Sequence, residues 1–332
     1  MRVLVTGASG FVGPLLIPRL LEDGHTVRAM GREETRVRQA LSRHSHEGSE
    51  ADVEIVCADA VRGEGLERAL DGVEVAYYLI HSMEASPSGP PSAFALRERI
   101  AAENFAGVAA RAGTRRIVYL GGLVPRWTPA PARRLQPRRR SAPAASRHLS
   151  SREEVEHILL AAVEDSIALR ASIVIGARSR SFRLLVRLVE RMPVIALPGW
   201  QRFRTAPIDE RDILAMLAAC VEAKPGARTL DVGGPDVLSY GEMLTRIADL
   251  MLLGRPALKV GVSMTGIAAR VAAAIAGEEP ELVLPLMEGL QGDLLPAEDH
   301  AAELLGVRLH TFDAAVEHAL GEWEREERLA AR

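Results

Sequence analysis

The stretch "RVLVTGASGFVGPLLIPRLLEDG", Arg2 to Gly24, decides the fold. Its opening residues are β-branched and apolar and read as a strand. Gly7, Gly10 and Gly13 then follow at intervals of three, and apolar residues recur at helical spacing until Gly24 closes the run. Strand, glycine turn and helix in this order form a cradle for phosphate. The first glycine permits a tight turn, the second lets a ligand approach the backbone, and the third lets the helix pack closely on the strand. Bound phosphate faces the positive end of the helix. Gly7, Gly10 and Gly13, with Ser9, Phe11 and Val12 between them, are the first candidate binding residues, and the ligand they imply is a dinucleotide.

Outward from that stretch, strand and helix patterns alternate. "HTVRAMGR", "DVEIVCAD", "VEVAYYLIHS", "RRIVYLGG" and "IALRASIVIG" read as further strands. "LERALDG", "AFALRERIAAENFAGVAARAG" and "VEHILLAAVED" read as the helices between them, while Glu33 to Glu50 is polar and reads as a mobile connection. Parallel strands joined by right-handed crossovers make an α/β, doubly wound parallel sheet, the Rossmann fold. The pattern loosens after Gly176, so residues 1–176 are expected to form the nucleotide domain and 177–332 a smaller, mostly helical C-terminal lobe. Strands near 205–235 are expected to return to the sheet, "SYGEMLTRIADLM" is a helix capped by Ser239, and the chain from Ala257 on reads as mostly helical. Pro125 to Arg147 is rich in proline and arginine and reads as a mobile, solvated loop. It lacks the interleaved aromatics of a single-strand nucleic-acid surface.

The 332 residues are 48% hydrophobic with a net charge of -3, which suits a soluble globular protein and gives no global attraction to nucleic acid or acidic lipid. Cys57 and Cys220 both lie in apolar runs, as expected of buried free thiols in a reducing compartment. "MRVLVTGASG" is too short in its apolar part for a signal peptide. The longest weakly charged run, Val262 to Gly277, is broken by Arg270 and falls short of the ~18 apolar residues of a membrane span. A cytoplasmic location follows, with a small-molecule substrate, no nucleic-acid partner and no membrane span; the oligomeric state stays open. His44, His46, His310 and His318 have no metal-ligand spacing, so no metal is expected.

The tip of the second strand chooses between the two nicotinamide dinucleotides. An Asp or Glu there would hold the ribose 2′-hydroxyl of NAD. Here the tip reads "MGREETR", with Gly31 and Arg32 in its place. Arg32, with Arg36, offers forks for a 2′-phosphate, although Glu33 and Glu34 stand ready to neutralise them. NADP(H) is the expected cofactor, with NAD as the alternative. Asp59, followed by Ala60, closes the third strand and is placed either to accept from the adenine amino group or to hold a turn.

"TGASGFVG", "CADA", "AENFAGVAARAGTRRIVYLGG" and "LRASIVIG" resemble the atypical and extended short-chain dehydrogenase/reductases, and "RFRTAPIDERDI" and "LDVGGPDVLSYGEML" extend the likeness. "YYLIHSM" and "RMPVIALPGWQRFRTAPI" look most similar to a bacterial branch of NAD(P)H-binding proteins akin to the NmrA-like regulators and the Rossmann-type accessory subunit of respiratory complex I. The resemblance implies a tyrosine general acid/base, a lysine four residues later and a serine after the fifth strand. Glu156 matches the acidic residue that follows the lysine by four. His148 then stands at the tyrosine position, Arg152 at the lysine position, and Gly121 and Gly122 where the serines are expected.

Two readings of "SRHLSSREEVEHIL" compete. His148 is the proton donor, helped by its ordinary pKa near ~6.5, with Arg152 binding ribose or acting electrostatically. Alternatively Ser150 and Glu153 form a capping box, and His148 lies ahead of the helix. His81, with Ser82, ends the fourth strand, at the ligand-crevice end of the sheet, and reads either as a residue approaching the nicotinamide and its ribose or as a loop histidine holding local backbone. Asn104 matches a residue that supports the family's active site. Arg170 either bridges cofactor and core or is a strand-end charge, and Tyr78 reads as core. The leading function is oxidoreduction of a small carbonyl or quinone-like substrate, apolar on the reading of "LLVRLVERMPVIALPGW". The alternatives are a non-catalytic redox sensor or assembly factor, and a nucleotide-sugar epimerase or dehydratase, the last weakened by the missing Tyr and Lys.

Overall fold

Seven short strands lie parallel in one sheet, wrapped by helices on both faces. The computed structural model describes residues 1–44, 53–80, 91–123, 147–192, 194–197, 199–224, 229–259, 292–297, 300–327 and 329. The first half alternates β1 (Arg2–Thr6), α1 (Gly13–Glu22), β2 (Thr26–Gly31), α2 (Glu34–Ser42), β3 (Glu54–Cys57), α3 (Leu66–Leu70), β4 (Val75–Tyr78), α4 (Pro91–Arg111), β5 (Arg116–Gly122), α5 (Arg147–Ala162) and β6 (Ile167–Ala171). There follow β7 (Val174–Ile175), α6 (Arg180–Arg191), β8 (Ile195–Leu197), β9 (Arg204–Thr205), β10 (Ile208–Asp209), α7 (Glu210–Ala219) and β11 (Thr229–Val232). The last described elements are β12 (Leu238–Ser239), α8 (Tyr240–Leu250), β13 (Ala257–Lys259), α9 (Ala301–Leu304) and α10 (Phe312–Glu326).

The sheet order is β3-β2-β1-β4-β5-β6-β11, and every neighbouring pair is parallel. Val3 on β1 stands opposite Val27 on one side and Val75 on the other. The chain winds outward in both directions from β1, so the crevice of the doubly wound sheet opens between β1 and β4. Both faces are covered, which is why β4 and β5 are buried along nearly all their length and read as continuous apolar runs. On one face α1, α2 and α7 bring Leu16, Val37 and Leu217 against Val5, Val27 and Tyr77. On the other, α3, α4 and α5 bring Leu66, Phe105 and Leu159 against Leu4, Tyr78 and Tyr119. Each such side chain contributes roughly 1.5–3 kcal/mol relative to exposure.

Beyond the sheet, α6, α8 and α10 pack around Phe182, Leu244, Val316 and Trp323 in a helical C-terminal core. Arg183 and Arg187 lie over the Trp323 ring, 4.1 and 4.9 Å from its centre. Ser239 caps α8 in a complete capping box with Glu242, as its sequence predicts.

Several expectations change. The polar stretch from Glu33 holds α2, which buries Val37, Ala40 and Leu41 and pairs Arg38 with Glu34 at 2.6 Å. The sixth strand pattern divides into β6 and β7. Ala257 to Lys259 is a strand, paired with β8, not helix. Cys57 is exposed at the end of β3, whereas Cys220 is buried and its thiol is pushed up to about 12 by burial. The arginine-rich loop up to residue 146 and the run Val262 to Gly277 lie outside the described residues. Among the described residues no helix is long and apolar enough to cross a membrane, and no three His, Cys, Asp or Glu side chains could together hold a metal ion.

Candidate dinucleotide site

At the end of β1 the chain turns through Gly7 with φ of 65°, a conformation that favours glycine. A Cβ on Gly7 would sit 2.6 Å from the Leu79 carbonyl oxygen, so β4 crowds the turn from below. The turn is tied down on three sides. Ala8 N–H donates to the Met30 carbonyl at 3.2 Å, and Gly10 N–H to the Gly7 carbonyl at 2.9 Å. The Thr6 hydroxyl donates to the Tyr77 carbonyl at 2.9 Å and accepts from Leu79 N–H at 3.0 Å. Gly13 is needed for packing, since its Cβ would lie 2.6 Å from the Gly7 carbonyl oxygen. A Cβ on Gly10 would meet only the Gly7 oxygen, at 3.1 Å, and Ser9 and Gly10 are exposed. The turn is thus a rigid ring with one open side above the start of α1, whose Val12 cap position carries no side-chain cap. That open side is where a pyrophosphate fits.

At the tip of β2 a Cβ on Gly31 would lie 2.5 Å from Val37 Cγ2, so any side chain at this position must displace the Val37 methyl group. Arg32 follows, exposed. Arg36 is engaged by Glu33 at 3.0 Å. Past β3, Asp59 Oδ1 accepts from Val61 N–H at 2.8 Å and Arg62 N–H at 3.1 Å, so that oxygen holds a turn. Asn104, on α4, donates to the Ala60 and Val61 carbonyls at 2.9 and 3.0 Å. It clamps the turn after β3. Behind this clamp lies a 480 Å³ cleft lined by Gly63, Arg68, Asn104 and Arg111 among others.

The region expected to hold the catalyst is built differently from the sequence pattern. α5 begins at Arg147, so Ser150 lies inside the helix and the capping box is not at its start. His148 and Arg152 stand one turn apart on the same helix. The His148 side chain, and His81 and Ser82 entirely, lie outside the described residues. Arg170 makes a two-point pairing with Glu156, at 2.7 and 2.8 Å, and Glu156 also accepts from Thr229 at 3.0 Å. Glu156 therefore links α5, β6 and β11.

Tyr119 was not singled out by its pattern, yet it alternates onto the same face of β5 as Gly121. A Cβ on Gly121 would lie 2.8 Å from the Tyr119 ring, so that ring fills the space a serine would need. The Tyr119 hydroxyl donates to the Arg152 carbonyl at 3.4 Å. Burial pushes its pKa up to about 12 although the Arg152 guanidinium opposes the shift. Tyr78 is core as expected, 5.1 Å from Phe105 in an edge contact, and burial holds its hydroxyl far above the usual tyrosine range. Glu98, on α4, is buried and accepts from the Ser151 hydroxyl at 3.1 Å. The apolar residues of α6, including Leu184 and Leu185, are buried in the helical core.

Residues 7–165 match the profile of a family described as NAD(P)H-binding. Over that stretch, just under half of the chain, the sequence is similar to NAD(P)H-binding domains. The chain is 36% identical over 123 residues to a 3-diazoavenalumate denitrifying reductase from a Streptomyces species. That alignment spans 36% of this chain and only 36% of the relative. Over its length the chain superposes on the crystal structure of gox2253 with a TM-score of 0.72, at 21% identity over 99% of each chain. It superposes on UDP-glucuronic acid 4-epimerase from Bacillus cereus, in complex with UDP-glucuronic acid and NAD, with a TM-score of 0.70. There the identity is 15% over 98% of this chain and 100% of the epimerase, a likeness of fold alone.

Proposed function

We propose that the protein is an NADP(H)-dependent oxidoreductase whose small carbonyl or quinone-like substrate lies between the strand ends and the lobe formed by residues 177–332. The observation that carries the cofactor choice is the tip of β2. Gly31 is pressed against Val37, which disfavours the ribose-binding acid of NAD enzymes, and Arg32 comes next. In this reading the open side of the Gly7–Gly13 turn holds the pyrophosphate and Arg32 the 2′-phosphate. When bound, the nicotinamide supplies or accepts a hydride. His148, Arg152 and His81 are the residues nearest in the chain to the expected chemistry, and an acid/base role is assigned first to His148. The printed name of the Streptomyces relative, a reductase, agrees with this class of reaction. Free thiols at Cys57 and Cys220 suit a reducing compartment such as the cytoplasm.

Fluorescence titration with NADPH and NADH tests the reading. NADPH is expected to bind more tightly, and Arg32→Ala to weaken NADPH by about tenfold while leaving NADH nearly unchanged. Unchanged NADPH affinity in Arg32→Ala would remove the 2′-phosphate assignment. Incubation with NADPH and a panel of carbonyls and quinones then separates an enzyme from its rival, a non-catalytic sensor or assembly factor. That second reading is favoured by one observation: the places of the serine pair are glycines, and one of them is filled by the Tyr119 ring. Tight binding without turnover across the panel supports the sensor. Loss of turnover with intact NADPH binding in His148→Ala supports the enzyme.

A further inference from the structure

The phosphate turn has a carboxylic acid behind it that no sequence pattern pointed to. Glu210 is the first residue of α7 and only 7% exposed. Its carboxyl group and the Phe11 ring flank the same bare backbone at Gly176. A Cβ there would lie 2.0 Å from Glu210 Oε2 and 2.9 Å from Phe11 Cζ. Phe11 belongs to the Gly7–Gly13 turn, so the acid packs against the element that receives the pyrophosphate.

The charges around this acid leave it poorly compensated. On its own helix, Asp209 repels it, and Arg211 is spent on Asp209 through two forked bonds, the shorter at 2.6 Å. From α10, His318 Nε2 lies 3.7 Å from Glu210 Oε1, and Glu322 adds a second negative charge. From the segment before α6, Arg178 attracts it but is held by His44, just past α2, at 2.7 Å and by Glu326 of α10. Burial, followed by Asp209 and Glu322, pushes the Glu210 pKa up to about 7. His318 is held below its usual value by burial and by Arg211, so near neutral pH it brings no full positive charge to the pair.

We propose that Glu210 is the proton-linked positioning residue of the phosphate turn, taking up a proton when the dinucleotide binds. This rests on the dinucleotide reading above. An ionised, buried carboxylate beside Phe11 and an anionic pyrophosphate at the turn repel each other, the more strongly because Glu210 is removed from water. The neutral acid removes that repulsion and leaves the Phe11–Gly176 packing unchanged. Binding therefore shifts Glu210 toward its protonated form, and by linkage affinity falls as pH rises through neutrality.

Calorimetric titration of the full-length protein with NADPH, in two buffers of different ionisation enthalpy, measures the proton uptake. The expected result is about half a proton taken up per NADPH near about pH 7.5, with a dissociation constant that rises about three- to tenfold between about pH 6 and pH 9. In Glu210→Gln, which keeps the shape without the charge, the uptake and the pH dependence are both expected to shrink toward zero. The 2′-phosphate of NADPH titrates near about pH 6 in either protein, so the difference between the two isolates Glu210. His318→Gln is expected to retain the uptake. NADPH binding without proton uptake in the parent protein overturns this inference alone and needs no variant. Uptake that survives Glu210→Gln, or vanishes in His318→Gln, also overturns it. Absence of binding by NADPH and NADH alike overturns the dinucleotide reading and this inference with it.

Discussion

In the proposed cofactor reading, Val37 acts at the β2 tip by volume and Arg32 by charge. Gly31→Asp alone places a Cβ 2.5 Å from Val37 Cγ2, and the expected cost is about 1–3 kcal/mol of stability from overpacking. Adding Val37→Ala makes room, and the double variant is expected to bind NADH more tightly relative to NADPH than the parent does. An unchanged ratio in fluorescence titration would sink the volume argument. Glu210 carries a second prediction at this scale. Its folded pKa, about 7, lies above the ordinary 4.5, so the folded state holds the extra proton. The stability this confers is complete below pH 4.5 and is lost as pH rises through about 7. Glu210→Gln should thus match the parent in acid and exceed it by roughly 3 kcal/mol above neutrality, read from urea midpoints at the two pH values. The glycine turn was legible in the sequence because its constraints are local. The Glu98–Ser151, Glu156–Arg170 and Glu210–Phe11 contacts were not, because each depends on which elements become neighbours in space.

The same four-residue pattern, serine followed three places later by glutamate, occurs at Ser239 and at Ser150 with opposite outcomes. Ser239 is extended, with φ of -74° and ψ of 155°, because β12 pairs it with β9 and commits the backbone ahead of the helix. Among the described residues ahead of Ser150 no strand pairing commits the backbone. "SRHLSS" contains no glycine or proline, and the helix runs back to Arg147. A capping pattern marks a helix start only when something stops the helix from extending backward. Ser239→Ala is expected to cost about 1 kcal/mol through loss of the cap. Ser150→Ala is expected to be neutral or stabilising by a few tenths of a kcal/mol, since alanine is the better helix former. Thermal unfolding of the two variants decides, and equal losses would contradict the assignment. α2 escaped the sequence pattern for a related reason. Only Val37, Ala40 and Leu41 of its nine residues are buried, too few to show a period against a charged background.

Across the whole molecule, the end of the sheet opposite the cofactor crevice is held by one fully buried cation. Arg116 pairs with Asp165 and donates to the carbonyl groups of Cys220, Val221 and Ala223, so it joins β5 to the α5–β6 connection and to the exit of α7. Arg116→Met removes the side chain that meets the Asp165 carboxylate and all these carbonyl groups at once, and strands a half-buried carboxylate. The expected loss is about 3–5 kcal/mol in urea unfolding. A loss below about 1 kcal/mol would show that Arg115, 3.6 Å from Asp165, takes over the charge. The fold class was legible at this scale because alternation of strand and helix needs no knowledge of contacts. The clamp was not, since an arginine opening a strand looks like any other surface charge.

β11 completes the sheet, and that has a consequence for biosynthesis. A nascent chain that has cleared the ribosome only to Gly176 already holds the six strands that precede it in the sheet. Its β6 still has an unpaired outer edge, and the apolar surface later covered by Ile213, Met216 and Leu217 of α7 is still open. An exposed parallel edge beside uncovered apolar surface invites self-association. The nucleotide domain therefore finishes folding only after Val232 has been translated, and a fragment ending at Gly176 is expected to sediment as aggregate where the full chain stays dispersed.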